Sequence, residues 1–312
     1  TSVIIPGSVK TISFDAFSYC SSLESVVIQE GVTSIGNEAF KSCKSLTSIT
    51  IPKSVTSVGQ HAFSGCSALK SAEIAGSVEK INSYTFRNCS QLESVTIGDG
   101  VTAIEDYAFT ECSALTSVII PGSVKTISFD AFSYCSSLES AIIQEGVTSI
   151  GNEAFKNCES LTAITIPKSV TSIGFFAFQG CSSLESVTIL NENCEISDSV
   201  SIKKNTTIYG YPGSTAEAYA LKHEINFVEV EESITAPTDT EILWGDANGD
   251  GAVDISDVVL MNRVYVGVDE VSAECLKNAD VDQSGKIELS DSMNVLRLLV
   301  HLLDQSNFPI SQ

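Results

Sequence analysis

The chain is short of positive charge, of histidine and of long apolar runs. Its 312 residues hold 17 Lys and Arg against 39 Asp and Glu, a net charge of −22. That balance excludes nucleic acid and anionic membrane surfaces as partners, because a phosphate backbone would be repelled. No run approaches the ~18–20 apolar residues of a membrane helix, so no membrane-spanning helix is expected. The three histidines, His61, His223 and His301, are scattered. Neither a Ser/His/Asp nor a Cys/His set is indicated, so no catalytic residue is assigned. There is no initiator Met and no signal peptide. The chain opens at Thr1-Ser-Val-Ile-Ile5, in the middle of a repeat. The expectation is that its natural N-terminus lies upstream, with room there for an export signal.

What is present is repetition. Eight of the ten cysteines, Cys20, Cys43, Cys66, Cys89, Cys112, Cys135, Cys158 and Cys181, are each 23 residues from the next. A Phe stands three residues before each (Phe17 to Phe178), a Leu three after (Leu23 to Leu184) and an Ile eight after (Ile28 to Ile189). The segment Leu-x-x-(Val/Ile/Ala)-x-Ile alternates as a strand does. Ser/Gly-Val-x-x-Ile holds a turn and a second short extended piece, and Ala-Phe-x-x-Cys a tight turn or one helical turn. One unit cannot bury these residues alone, whereas stacked units can, each slot forming a ladder of like side chains. A longer period overlies the first. Residues 1–59 match 116–174 except at Val26/Ala141, Val27/Ile142, Ser42/Asn157, Lys44/Glu159, Ser48/Ala163 and Val58/Ile173. Such a block duplication weighs against a unique catalytic pocket.

The cysteine column reads as a ladder of small buried hydrophobes. Redox or metal chemistry is the other reading, but no His or acid repeats in register with the thiols. Stacked parallel side chains are badly oriented for disulfides. Free thiols in an exported protein suggest a reducing or anaerobic setting. Outward strand positions form two stripes, one nearly all Ser (Ser25 to Ser186), the other mixed (Val27, Thr50, Glu73, Thr96, Ile119, Ile142, Thr165, Thr188). No Trp or Tyr platform and no Arg cluster lies on them. Phe14, Tyr84, Tyr107, Phe129, Phe175 and Phe176 lie near the turn. They are expected to form a packed turn face, with a partner-binding edge as the alternative.

The run Leu-x-x-Val-x-Ile with Ile-Gly-x-x-Ala-Phe-x-x-Cys, as between Leu138 and Cys158, resembles the BspA-type leucine-rich repeat over residues 1 to about 230. The resemblance implies a β-rich leucine-rich-repeat solenoid. The Asn or Cys that such repeats place three residues after the strand Ile is Gly or Ser here (Gly31, Ser54, Ser77, Gly100, Ser123). Little regular helix is therefore expected on the convex side. The solenoid proper is assigned to residues 1–190 and a C-terminal cap to 191–230. In the cap, Thr206–Tyr211 is strand-like. Ser214 N-caps a helix over 215–223, with Glu217 completing a capping box, and Ile225–Val230 returns as a strand. Cys194 is out of register. Residues 231–243 are polar with one Pro and read as a linker.

The last 82 residues are denser in acid, with 16 acids against 4 bases. The run Asp246-Ala-Asn-Gly-Asp-Gly-Ala-Val-Asp-Ile-Ser-Asp257 has the oxygen-donor spacing of an EF-hand-type calcium loop, and it recurs at Asp280–Asp291. In the first loop Asp246, Asn248, Asp250 and Asp257 supply side-chain oxygens, Ala252 its carbonyl and Asp254 a water. In the second the set is Asp280, Asp282, Ser284, the Lys286 carbonyl, Glu288 through water, and Asp291. Gly251 and Gly285 permit the turn at position six. Two calcium ions are thus expected. No helix is expected before the first loop, and both loops end in Asp rather than Glu. A helix follows each, with a short one between.

That order resembles a dockerin, the cohesin-binding module of cellulosomal proteins, over residues 244–304, leaving 305–312 as a tail. The resemblance implies a small all-α domain of two calcium loop-helix units. It also implies a cohesin contact through Ile255, Ser256 and Arg263 and their counterparts Leu289, Ser290 and Arg297. The apolar Ile255 and Leu289, where the best-known dockerins carry Ser, imply a different cohesin specificity. Local core packing and solvated helix charge are the blander readings of these apolar and Arg positions.

Together these features describe a non-catalytic, secreted component of a cellulosome-like assembly. It would be held through a cohesin module of a scaffoldin or cell-surface anchoring protein, with a repeat rod whose ligand is unknown. The alternatives are an enzyme with a hydrolase site in the rod, built from rung acids such as Glu73 or Asp106, and a passive spacer.

Overall fold

In the computed structural model the chain divides into two compact units, Thr1–Val230 and Glu231–Gln312. The structure describes residues 1–75 and 77–230. The expected all-α dockerin lies outside these residues.

Unit one is a right-through β-solenoid of about ten turns. Each full turn contributes a four-residue strand and a two-residue strand, as in Ser48–Ile51 with Ser57–Val58, or Ala163–Ile166 with Ser172–Ile173. Most strands pair in parallel with their equivalent 23 residues on; the ladders are interrupted between Ser25–Ile28 and Ser48–Ile51, between Ser57–Val58 and Lys80–Ile81, and between Ser94–Ile97 and Ser117–Ile120. Ser2 faces Ser25, Ser71 faces Ser94 and Ser149 faces Ser172. Alternation decides which way the strands face. In Ser25–Ile28, Ser48–Ile51 and Ser71–Ile74 the burial pattern is exposed, buried, exposed, buried. In these turns Val, Ile and Ala72 go inward and the Ser and mixed stripes stay in water, whereas Ile142, Ser186 and Thr188 of the later turns are buried.

The third side of each turn is neither strand nor helix. Its N–H groups at alternate residues donate to the following turn: Asp15 to the Asn37 carbonyl, Phe17 to Ala39 and Tyr19 to Lys41, at 2.7–3.1 Å. To aim them so, the residues five and one before each Cys adopt left-handed backbone, as Asp15 (φ 57°), Tyr19 (59°), Tyr84 (63°) and Asn88 (57°) do. A non-glycine residue there costs about 1 kcal/mol or more. The inter-turn hydrogen bond returns about 0.5–1.5 kcal/mol, and the buried Phe between the two strained residues adds more. Gly65 and Gly180 hold this slot without that cost (φ 73° and 77°).

The core is a set of columns. Phe40, Phe63, Phe86, Phe109, Phe132 and Phe155 are fully buried. Successive rings stack nearly parallel, from 5.1 Å (Phe109–Phe132) to 6.0 Å (Phe155–Phe178) between centroids. The Leu column and, from Cys43 on, the Cys column run beside them and are buried too, whereas Cys20 in the first turn is exposed. The expected packed turn face holds only in part. Tyr84 and Tyr107 are half-buried and stacked at 4.7 Å, and Phe129 meets Tyr107 edge-on at 5.1 Å. Phe14, Phe175 and Phe176 are instead 62%, 55% and 39% exposed. The reason is register: Phe129 meets Tyr107, 22 residues before it, whereas Phe175 has Glu153 at that offset and Asn152 and Asp198 at 23, and Phe14 has Asn37 on the next turn, so neither finds a ring to stack on.

The cap follows the sequence closely, with three adjustments. The 23-residue register continues past Leu190, since Glu195–Ile196 pairs with Ser172–Ile173. Cys194 is fully buried, and its N–H donates to the Asn191 carbonyl as that of Val170 does to Pro167. It thus fills the Val slot of the preceding turns one residue late, and the register is restored at Glu195. The helix is Thr215–His223, with Ser214 Oγ accepting from the Glu217 N–H at 3.3 Å. Glu217 reaches back to the N–H of Gly213 (2.7 Å) rather than that of Ser214, which already donates to the Tyr211 carbonyl. Strands Thr207–Gly210 and Asn226–Glu229 add the final two rungs.

Candidate interaction surface

The calcium-loop residues Asp246, Asn248, Asp250, Ala252, Asp254, Asp257, Asp280, Asp282, Ser284, Lys286, Glu288 and Asp291 all lie outside the described residues. So do the cohesin-contact positions Ile255, Ser256, Arg263, Leu289, Ser290 and Arg297. The donor set itself is informative. Carboxylate, amide, hydroxyl and carbonyl oxygens, with no thiol or imidazole among them, suit a hard cation such as calcium.

The polar groups of the solenoid are engaged in holding turns together. Each thiol from Cys43 to Cys181 donates to the carbonyl of the Phe 26 residues earlier, at 3.1–3.3 Å (Cys43 to Phe17, Cys181 to Phe155). Burial pushes the thiols of Cys89, Cys135, Cys181 and Cys194 up to about 12 and raises those of Cys112 and Cys158 as well. All nine cysteines of the described residues are free, and only Cys20 is exposed. This is the inert ladder expected of the repeat. Glu145 accepts from the N–H groups of Lys168 and Ser169 (2.7 and 3.0 Å), and Glu30 does the same for Lys53 and Ser54. Asp106 Oδ1 accepts from the Phe129 N–H at 3.1 Å, while Glu73 bonds the Thr50 hydroxyl on another face. The two acids are not brought together.

The histidines are equally dispersed. His61 stacks on Tyr84 at 4.5 Å, and burial, with Lys41 nearby, depresses its pKa. His223 packs on Tyr219 at 4.2 Å and lies 3.9 Å from the Asp198 carboxylate. Lys222 bonds that same carboxylate and holds it below the usual range. Among the described residues no three His, Cys, Asp or Glu side chains gather where they could hold a metal. No helix among them is long and apolar enough to cross a membrane.

One open groove, of about 860 Å³, lies along the short-strand side. It runs over Ser149–Asn152, Ser172–Phe175 and Glu195–Asp198 and is bounded by Phe129. Its floor is low where Gly151 and Gly174 carry no side chain. Added methyl groups there would come within 2.8 and 2.4 Å of the turn before. The slot six residues before each Cys makes the rim. Along the axis it reads Asp106, Phe129, Asn152, Phe175, Asp198. The sequence names Phe129 and Phe175 as turn aromatics. The signal for a groove was the alternation of ring and polar residue in this one slot.

The family model for the BspA type leucine rich repeat region matches residues 1–116 and 102–209, in six copies. The chain belongs to that family. The model for the dockerin type I domain matches residues 244–300, so this BspA-type repeat protein carries a dockerin at its C-terminal end. A dockerin implies a cohesin-binding component of a cellulosome-type assembly, and type I dockerins bind calcium. The repeats imply protein interaction and an extracellular or cell-surface setting. Both matched domains are non-catalytic. Similar solved structures include the leucine-rich repeat protein of Treponema pallidum (28% identity, TM-score 0.48, 51% of this chain and 77% of that one). A leucine-rich repeat protein of Bacteroides ovatus (23%, TM-score 0.35, 74% and 84%) and a leucine-rich cell surface protein of Faecalibacterium prausnitzii (26%, TM-score 0.34, 75% and 80%) are further examples. Among curated proteins none matches.

Proposed function

We propose that the chain is a non-catalytic, exported component of a cellulosome-type assembly, attached through its dockerin to a cohesin and offering its solenoid as a protein-interaction surface. The observation that carries this reading is the dockerin match over residues 244–300, which encloses both calcium loops. The first ion is held by Asp246, Asn248, Asp250, the Ala252 carbonyl, Asp257 and a water on Asp254. The second is held by Asp280, Asp282, Ser284, the Lys286 carbonyl, Asp291 and a water on Glu288. Each loop concentrates carboxylates that repel one another until metal neutralises them, so binding of the ion is part of folding. Ile255, Ser256 and Arg263, with Leu289, Ser290 and Arg297, form the cohesin contact. The domain boundaries are 1–190, 191–230, 231–243, 244–304 and 305–312. The non-catalytic reading is supported by what the rung acids do: Asp106 caps a backbone N–H and Glu73 bonds Thr50, on separate faces.

The test is capture of the intact chain on immobilised cohesins, with calcium and with excess EDTA. Capture in calcium and release by EDTA, with the solenoid's circular dichroism unchanged, is expected. Undiminished capture in EDTA refutes the calcium dependence. Hydrolysis of a plant polysaccharide or a peptide by the purified chain refutes the non-catalytic role.

A further inference from the structure

The groove beside Phe129 and Phe175 has features the solenoid does not need. Phe175 is 55% exposed, so burial does not explain it. The duplicated block supplies the comparison. The two copies differ at six of their first 59 positions, all by modest changes except Lys44/Glu159. At the next two positions Gln60-His61 becomes Phe175-Phe176. The fold accepts Gln60 in this slot, so Phe175 answers to something outside the core.

The line Asp106, Phe129, Asn152, Phe175, Asp198 crosses successive turns, so its spacing is set by the rungs. Phe129 and Phe175 stand two rungs apart, about 10 Å at the inter-strand spacing. A polyproline II segment repeats every three residues, about 9.3 Å, which sets residues i and i+3 against the two rings. An extended strand repeats a face every two residues, about 6.8 Å, and misses the second ring. An α-helix reaches a comparable repeat only at i+7, about 10.5 Å, with its carbonyls already bonded internally. Between the rings stands exposed Asn152. Its Oδ1 accepts from the Phe175 N–H at 2.9 Å. That bond fixes the amide and leaves Nδ2 to donate to a carbonyl that has no internal partner, as in polyproline II. Asp106 and Asp198 flank the rings, both exposed, with exposed Glu195 beside Asp198. Asp198 is shared with Lys222, but Glu195 is not, so the rim favours a basic flank.

We propose that Phe129, Asn152 and Phe175 form a docking surface for a proline-rich segment of a partner protein, held in polyproline II conformation with prolines three residues apart and a Lys or Arg beside them. Aromatic-lined grooves take such segments because their backbone is already ordered and loses little entropy on binding. This rests on the reading of the solenoid as a protein-interaction surface and names the class of partner.

The experiment uses the intact chain in calcium and a fluorescent ten-residue peptide with prolines at i and i+3 and a flanking lysine, followed by anisotropy. A matched peptide with both prolines replaced by alanine, and cellohexaose as competitor and as direct ligand by calorimetry, are the other arms. Binding of the proline peptide is expected, at least tenfold weaker for the alanine peptide and for each of F175Q and F129S. Both variants place a residue that the same slot already holds elsewhere, Gln60 and Ser83, so they should fold. Equal binding of the alanine peptide through Phe175 overturns the proposal but leaves the interaction reading standing. Phe175-dependent binding of cellohexaose with no peptide binding overturns both. Absence of peptide binding at millimolar concentration, or binding that both variants retain, overturns the proposal.

Discussion

Replacing a central ring of the phenylalanine column should cost about twice what replacing the terminal ring costs. Phe109 is fully buried and stacked on both sides, at 5.3 Å on Phe86 and 5.1 Å on Phe132. Phe17 is half-buried in the first turn and stacks only on Phe40, at 5.2 Å. A buried Phe→Ala change costs about 3–5 kcal/mol. Each stacked pair contributes about 0.5–1.5 kcal/mol beyond the area it covers. Phe109→Ala loses full burial and two pairs, and falls in the upper part of that range. Phe17→Ala loses half the burial and one pair, and should cost about 2 kcal/mol. The assay is guanidinium unfolding of the intact chain followed by far-UV circular dichroism, where the strands give the signal. Midpoints shift in proportion to the loss while the slope is kept. Equal losses for the two variants would refute the reasoning, because they would mean that each ring acts through its own turn and that the column adds nothing.

Other expectations follow from single sites. Gly122→Ala places a methyl 1.9 Å from the Glu145 carbonyl oxygen, as Gly7→Ala does against Glu30, so each should lower stability by about 1–3 kcal/mol in the same unfolding assay. Burial raises the carboxyl pKa of Asp130, despite Ser133 and Lys156 nearby and with Glu153 and Asp106 adding to the rise. Its charged form is therefore disfavoured in the folded state. The penalty is absent below the ordinary value of about 3.9, grows as pH rises from there towards the folded value and is constant above it. Asp130→Asn should thus raise the midpoint at neutral pH and leave it unchanged in acid; a loss of stability at neutral pH would contradict this. Among the nine described cysteines only Cys20 should react quickly with a thiol reagent at neutral pH, and Cys20→Ser should remove one fast equivalent.

The solenoid was legible because its slots are filled many times over. Phe, Cys and Leu at fixed distances from one another gave the columns, and the 23-residue offset gave the register that Ser2 and Ser25 obey. Ser214 and Glu217 announced the helix Thr215–His223. What the sequence concealed was local geometry between turns. The left-handed residues on the third side occupy Asp15, Glu38, His61, Tyr84 and Tyr107, residue types with little in common. Their conformation comes from the hydrogen bonds of the adjacent turns, and side-chain propensity plays little part. The exposure of Phe175 was concealed for a related reason. Whether a ring packs depends on residues about 23 before and after it, and for Phe175 those, Asn152, Glu153 and Asp198, are far off in the chain and carry no ring. Outside the described residues, the spacing of oxygen donors at Asp246–Asp257 and Asp280–Asp291 was enough to point to a dockerin, whose family match encloses both runs.

A repeat of this kind separates stability from recognition. The inward slots are constrained by their neighbours above and below, so a change in one turn is felt by two others. The slot six residues before each Cys lies at the surface, and where it holds Asn37, Asp106 or Asn152 the side-chain Oδ1 accepts the N–H of the same slot on the next turn. No core column fixes its side chains, and across the turns they run from Phe to Asn, Gln, Ser and Asp. The two copies of the block show the consequence. One keeps Gln60 beside Asn37, the other sets Phe175 beside Asn152, and the Phe, Cys and Leu columns beneath are the same. A surface could change there without cost to the core, and that freedom makes an exposed ring in this slot informative, where a ring in the Phe column would not be.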